Sequence, residues 1–364
     1  MASVRIDFTS SLYLGFRHGA GELPPWRQLT IGTPSAVNRW PIADQLEVEI
    51  SGLCGTERAL IGRSTLHLFW DLIGAFDPKE WEFIADEHSY PLAQWAMSRL
   101  CRQNERPRLF RHLDVDDIAR RCAEITRRRK RPAIVTDSFC SVCGQTPDLA
   151  RYSELAENSG GYVLIDDTQT LGLMGKGRQK KYPWGFGGGG CIRFHGLEHR
   201  RVVAISSMAK AFGAALGFAA GPAEIISQMK SLGDTRWHCS QPTIVDMEAA
   251  RNALCRNSTE GNSLRHRLKL LIDHFAKTAR AKFIPILESP HPAQAVLLPS
   301  PAHAERCRHY LSRKGIDVVR GRGHLGETRL LFLLTVTHSF NAVSKALAEF
   351  AESMSLSEPD HVRR

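Results

Sequence analysis

Between residues 64 and 220, short apolar runs alternate with stretches of helical spacing. Residues 81–89, 132–141, 162–166 and 202–205 each read as a buried strand, and helical segments separate them. That alternation leaves few architectures open. Strands joined by helical crossovers run parallel, and a parallel sheet is covered by helices on both faces. The expected fold class is therefore α/β with a large, mostly parallel central sheet. Sites in such sheets lie at the carboxyl ends of strands. His88, Ser141, Asp166 and Lys210 all fall at or just after such ends.

Two of those ends carry chemistry. After Val202-Val203-Ala204-Ile205 comes Ser206-Ser207-Met208-Ala209-Lys210-Ala211-Phe212-Gly213, with no carboxylate within five residues of the lysine. A partly desolvated lysine loses its proton more easily and can form a Schiff base. Small neighbours let a flat cofactor approach the backbone. Taken alone, Lys210 reads equally well as a solvated loop lysine. Upstream, Tyr162-Val163-Leu164-Ile165 runs into Asp166-Asp167. A carboxylate at a strand end can keep a pyridinium nitrogen protonated, as pyridoxal 5'-phosphate (PLP) chemistry requires; a helix cap is the alternative use of these acids.

Together, in this order, these stretches resemble the fold-type I PLP-dependent enzymes. Within them they resemble the α-oxoamine synthase family, which includes 8-amino-7-oxononanoate synthase, 2-amino-3-ketobutyrate CoA ligase, aminolevulinate synthase and serine palmitoyltransferase. Further stretches carry the likeness: Asp7-Phe8 through Tyr13-Leu14-Gly15, an opening strand and turn; a helix over 42–55 ending near Gly52 and Gly55; and Thr136-Asp137-Ser138-Phe139-Cys140-Ser141. The implied fold is a large PLP-binding α/β domain with a smaller α+β C-terminal domain. Expected bounds are 1–55 for an N-terminal arm and helix, 56–275 for the large domain and 276–364 for the small one. The small domain's strands are expected at 293–298 and 328–335, before a helix over 340–354.

The resemblance also implies roles. Lys210 would form the Schiff base and move the α-proton, and Asp166 would pair with the pyridine nitrogen. His88 would stack on the ring. Ser207, with Ser64 and Thr65 at a helix N-terminus, would hold the phosphate. Gln169 and Ser141 would lie near the cofactor's phenolic oxygen. The loop at 237–242 is where a partner subunit would add a hydroxyl to the phosphate, so a homodimer is expected.

Departures from the family pattern are specific. The family's N-terminal helix is not expected here, its upstream glycine-rich tract is reduced to Gly32-Thr33-Pro34-Ser35, Ser64 replaces a glycine, Asp137 a glutamate and Gln169 a histidine. A glutamine amide can donate a hydrogen bond but cannot titrate. Near the C-terminus the family's Gly-x-x-x-Leu-Arg, whose arginine clamps the substrate carboxylate, reads Gly326-Glu327-Thr328-Arg329-Leu330-Leu331. Arg329, two residues earlier on the same strand face, is the expected substitute.

The implied activity is condensation of an amino acid with an acyl-CoA or carrier-protein thioester through a quinonoid intermediate, with a specialised substrate. An aminotransferase or lyase on the same scaffold is the alternative, and a non-catalytic partner subunit is a third. The chain's 364 residues allow two domains. No apolar run is long enough to span a membrane and no signal-peptide core opens the chain, so a cytoplasmic setting is expected. A net charge of +10 fits an anionic partner and, equally, general surface charge spread over many arginines. Its densest run, Arg127–Arg131, follows a helix, where cations are favoured by the dipole, and no nucleic-acid partner is expected. Cys140 and Cys143 have Cys-x-x-Cys spacing, yet no second pair accompanies them. No metal is expected, and a redox role is the alternative use. Gly185-Phe186-Gly187-Gly188-Gly189-Gly190 fits Gly-x-Gly-x-x-Gly without a flanking strand or an expected helix, so it is read as a flexible loop. An exposed Arg-rich hairpin is expected over 102–111, and a long helical segment from Pro222.

Overall fold

Alternating apolar residues on adjacent strands give the chain its main sheet two buried faces. The computed structural model describes residues 5–103 and 108–356. In chain order the elements are β1 (Ile6–Asp7), α1 (Pro41–Cys54), β2 (Arg58–Gly62), α2 (Thr65–Gly74), β3 (Trp81–Asp86), α3 (Pro91–Met97), β4 (Arg108–Phe110), α4 (Val115–Arg127), β5 (Arg131–Asp137), α5 (Leu149–Asn158), β6 (Tyr162–Asp166) and α6 (Gly190–His195). They continue as β7 (Val202–Ser207), β8 (Gly217–Gly221), α7 (Ala223–Leu232), α8 (Asp234–His238), α9 (Ile244–Thr259), α10 (Gly261–Ala281), β9 (Ile286–Leu287), β10 (Ala293–Leu298), α11 (Pro301–Arg313), β11 (Ile316–Asp317), β12 (Val319–Arg322), β13 (Thr328–Leu333) and α12 (Phe340–Leu356). Two compact units result: Phe16–Phe139 with Thr146–Asn262, and Met1–Gly15 with Cys140–Gln145 and Ser263–Arg364.

The larger unit is built on a seven-stranded sheet in the order β2-β8-β7-β6-β5-β3-β4. Strands β7, β6, β5, β3 and β4 run parallel; β8 is antiparallel to β7 and to β2. This is the α/β, fold-type I architecture expected. The period of two sorts the strand residues. Ala133, Val135, Tyr162 and Leu164 pack with Leu68, Phe69 and Leu72 of α2 on one face. Ile134, Val163 and Ile165 pack with Ile118, Ile125, Leu149 and Tyr152 of α4 and α5 on the other. Continuing the alternation puts Asp137 and Asp166 on the α2 face, and the β5–β6 register sets them opposite each other.

The smaller unit has a four-stranded antiparallel sheet, β12-β13-β10-β9, and a short parallel pair, β1 with β11. Its core is aromatic: Phe332 lies 5.4 Å from Phe8, 5.5 Å from Phe275 and 6.0 Å from Phe350, ring centre to ring centre.

Three local expectations are corrected. In place of an Arg-rich hairpin, residues 98–103 form a 3-10 turn, residues 104–107 lie outside the described residues, and β4 pairs parallel to β3 at the sheet edge. The helix from Pro222 stops at Leu232, because Gly233 is extended (ψ 113) and a separate short helix follows. The glycine run does lead into a helix, α6. The local cause is Asp167, whose carboxylate accepts from the Cys191 N–H at 3.1 Å through each oxygen, a favourable partner for a helix start. The basic run at the end of α4 is tied down within the unit: Arg128 pairs with Glu82 at 3.2 Å and Arg131 with Glu80.

Gly190 is held by that same carboxylate. Its φ is +81°, and an added Cβ would lie 2.0 Å from Asp167 Oδ2. Gly190→Ala is expected to destabilise the protein by on the order of 3 kcal/mol, combining backbone strain with displacement of a buried acid. Urea unfolding of the two proteins measures this.

Candidate active site

The carboxyl ends of β3, β5, β6 and β7 gather ionisable residues at one edge of the large sheet. Asp166 closes β6 and is buried. One Oδ accepts from Thr168 N–H at 3.0 Å, which fixes the carboxylate's direction. Burial pushes its pKa up, while the Thr168 hydrogen bond and the Lys210 cation oppose the rise. Lys210 follows β7 by three residues. Burial pulls its ammonium pKa down, and the anions of Asp166 and Asp137 oppose that. Lys210 is thus not a solvated loop cation; its Nζ sits 5.9 Å from the centre of the Tyr90 ring.

Asp137 was quoted in the sequence only as a replacement for a glutamate, and its place beside Asp166 was missed. Its carboxylate accepts from the Tyr90 N–H at 3.0 and 3.1 Å. Its pKa is pushed up by burial first and then by Asp166 and Asp86; the Tyr90 N–H and His112 work against the rise. Two carboxylates on adjacent strands and one face cannot both ionise freely. The signal was available, since strand alternation puts both on one side.

A second set of contacts links Asp166 to the start of α2. Thr168 Oγ1 accepts from Ser207 N–H at 3.1 Å. Ser207 stands opposite Gly217 in the β7–β8 register. An added Cβ on Gly217 would lie 3.1 Å from Thr65 N, so β8 lies directly against the start of α2. Ser64 caps that ten-residue helix, its Oγ accepting from His67 N–H at 3.4 Å. The free N–H groups of a helix's first turn attract anions. Ser64, Thr65, Ser207, Asp166 and Lys210 are therefore brought together.

His88 and Gln169 lie on turns at the same edge, both half-buried. His88 N–H donates to Asp86 at 2.8 Å, and its ring meets His112 edge-on at 5.1 Å. The sequence reading missed the Asp86–His112 pair, at 2.7 Å, which fixes this turn. Ser141 and Arg329 belong to the smaller unit. There the buried Arg329 guanidinium donates to the Val142 carbonyl and, at 3.2 Å, to Glu327.

The residues fit PLP. A half-buried amine of lowered pKa, a buried and oriented carboxylate, and a helix N-terminus are the three anchors the group needs. Ser89 Oγ and Ser206 Oγ are also buried at this edge without a hydrogen-bond partner among the described residues.

The family model for aminotransferase class I and II matches residues 79–348. The chain belongs to that family. Its cofactor is PLP, and within the family it is α-oxoamine synthase-like. The 8-amino-7-oxononanoate synthase of Halorhodospira halophila is 28% identical over 261 residues, covering 70% of this chain and 61% of that protein. The enzyme of the same name from Alcanivorax borkumensis is 28% identical over 249 residues, covering 67% and 61%. The chain thus spans about three fifths of the length of these curated relatives. Two solved structures share the fold. Serine palmitoyltransferase of Sphingomonas wittichii has a TM-score of 0.84 at 16% identity, covering 97% of this chain and 88% of that one. For 8-amino-7-oxononanoate synthase of Francisella tularensis the TM-score is 0.75 at 17% identity, covering 97% and 98%.

Asp167, behind the site, gives a stability test. Burial pushes its pKa up from 3.8 to about 6, against hydrogen bonds from Thr170 and Cys191. The folded protein holds this proton more tightly than the unfolded chain, so stability is lost as pH rises from about 4 to about 6. The span is worth up to about 3 kcal/mol. Urea unfolding across that window should show wild type losing more stability than Asp167→Asn.

Proposed function

We propose that the chain is a PLP-dependent acyltransferase that joins the α-carbon of an amino acid to the acyl group of a thioester. The observation that carries this reading is the placement of Lys210 within electrostatic reach of Asp166 and Asp137 at neighbouring strand ends. The chemistry supplied here by the bound cofactor is electron withdrawal from the substrate's α-carbon.

The protein's own groups would divide the work. Asp166 keeps the ring nitrogen protonated. Lys210, with its pKa lowered by burial, carries the proton to and from the α-carbon. Ser64, Thr65, Ser207 and the start of α2 hold the phosphate, His88 covers the ring, and Gln169 and Ser141 donate to its phenolic oxygen. The carbon–carbon bond forms as the carbon–sulfur bond breaks, and the departing thiolate takes up a proton. An acyl-CoA or carrier-protein thioester is the donor class. Leucine at position 331, where the family resemblance leads one to expect the carboxylate clamp, points to a specialised amino acid, with Arg329 as the candidate clamp. A homodimer in the cytoplasm fits this reading.

The test is to load the protein with PLP and add amino acids together with acyl-CoAs. Release of free thiol that depends on both is expected, falling by at least about 10³-fold in Lys210→Ala. Conversion of the cofactor to its amine form without thiol release would assign an aminotransferase, the reaction named in the family's description. No spectral response to any amino acid would overturn both readings.

A further inference from the structure

We infer that Cys140, Cys143 and His324, all in the smaller unit, form a zinc(II) site. The Cys140 N–H donates to the Gln145 carbonyl at 2.9 Å, and the Gly144 N–H donates to the Cys140 carbonyl at 2.8 Å. This closes 140–145 into a tight turn whose last bend uses a left-handed glycine, Gly144 at φ +76°. Within the turn the Cys143 N–H points at the Cys140 sulfur, 3.4 Å away.

The third ligand comes from far along the chain. His324 lies in the connection between β12 and β13, and its Nε2 is 3.1 Å from Cys140 Sγ. The ligand atoms of Cys140, Cys143 and His324 all lie within 4.8 Å of one another. Zinc bound tetrahedrally, with bonds of about 2.3 Å to sulfur and about 2.0 Å to nitrogen, holds its ligands roughly 3.5–3.8 Å apart. Small side-chain adjustments close that gap. Two thiolates and an imidazole suit zinc better than magnesium or calcium, which take oxygen ligands. One unit thus supplies three of the four positions of a tetrahedral zinc ion.

The neighbours hold this arrangement in place. Glu327 fixes the His324 connection: its carboxylate accepts from the Leu325 N–H at 3.0 Å, and its carbonyl accepts from the Gly323 N–H at 2.8 Å. Arg329 then joins the two halves, donating to Glu327 and to the carbonyl of Val142, between the two cysteines. Partners of this kind orient metal ligands, and losing one typically costs 10–100-fold in affinity. Arg329 is a positioning residue for the site. The expectation of no metal rested on the lack of a second cysteine pair nearby in sequence, and a turn brought in by the smaller sheet takes that pair's place.

The experiment uses the full chain, loaded with PLP and purified without added metal or chelator. Bound zinc is measured by elemental analysis, and cobalt(II) is then exchanged in. About one zinc per chain is expected, with visible cobalt bands on the red side of the cofactor's absorption. Cys143→Ser and His324→Ala should lose both signals while keeping the cofactor band and the far-ultraviolet helix signal, which establishes that they fold. Arg329→Met should weaken zinc affinity about 10–100-fold with all three ligands present. Zinc that persists in the ligand variants would be adventitious and would overturn the inference. A metal-free wild type that gives no cobalt bands, and whose two cysteines join as a disulfide on mild oxidation, would overturn it in favour of a redox pair.

Discussion

Everything at the active edge depends on one electrostatic compromise: Asp166, Asp137 and Lys210 are all taken out of water at adjacent strand ends. An isolated buried charge is too costly to keep and neutralises instead. Here each group's shift is limited by the others. Lys210 limits the rise of Asp166, and the two aspartates limit the fall of Lys210. The acids themselves repel, so the cluster tends to carry fewer charges than three independent groups would. The outcome is an amine whose pKa is lowered by burial beside an oriented carboxylate whose own rise is held back by a cation. A PLP enzyme uses both, and a solvated lysine would lack the first.

The sheet makes that compromise possible, because a parallel sheet ends its strands at one edge and covers its faces with helices. The α2 face, which buries Ala133, Val135, Tyr162 and Leu164, also receives Asp137 and Asp166 one step further along. The same periodicity that builds the core therefore positions the acids. Thr168 and Ser207 then pass the placement to β7 and, through Gly217, to the start of α2.

Much of this was legible in the sequence because it is local. Strands β3, β5, β6 and β7 follow apolar runs, α1 ends at a left-handed Gly55, and the spacing of Lys210 and Asp166 from their strand ends is short. What escaped depends on pairing between distant segments. The partnership of Asp137 with Asp166 is a fact of register, Asp86 with His112 one of a strand end meeting a turn, and β4 joins the sheet through an edge that an arginine-rich stretch does not advertise. The helix after the glycine run was missed for the same reason. Its start is stabilised by Asp167, more than twenty residues earlier.

Arg329 illustrates how far residue type alone can carry an argument. Read along the strand it is the nearest arginine to position 331, where the family resemblance leads one to expect a carboxylate clamp. Within its own unit it is buried, bonded to Glu327 and to the turn that carries Cys140 and Cys143. Those two hydrogen bonds occupy Nη1 and Nη2, while Nε is buried without a partner among the described residues. A bidentate grip on a substrate carboxylate needs two parallel N–H groups of the guanidinium fork. A guanidinium carries five N–H groups and these bonds use two, so a carboxylate held by the other three would share a group already anchored to the turn and to the connection that holds His324. Substrate binding and the integrity of the cysteine turn would then draw on the same guanidinium.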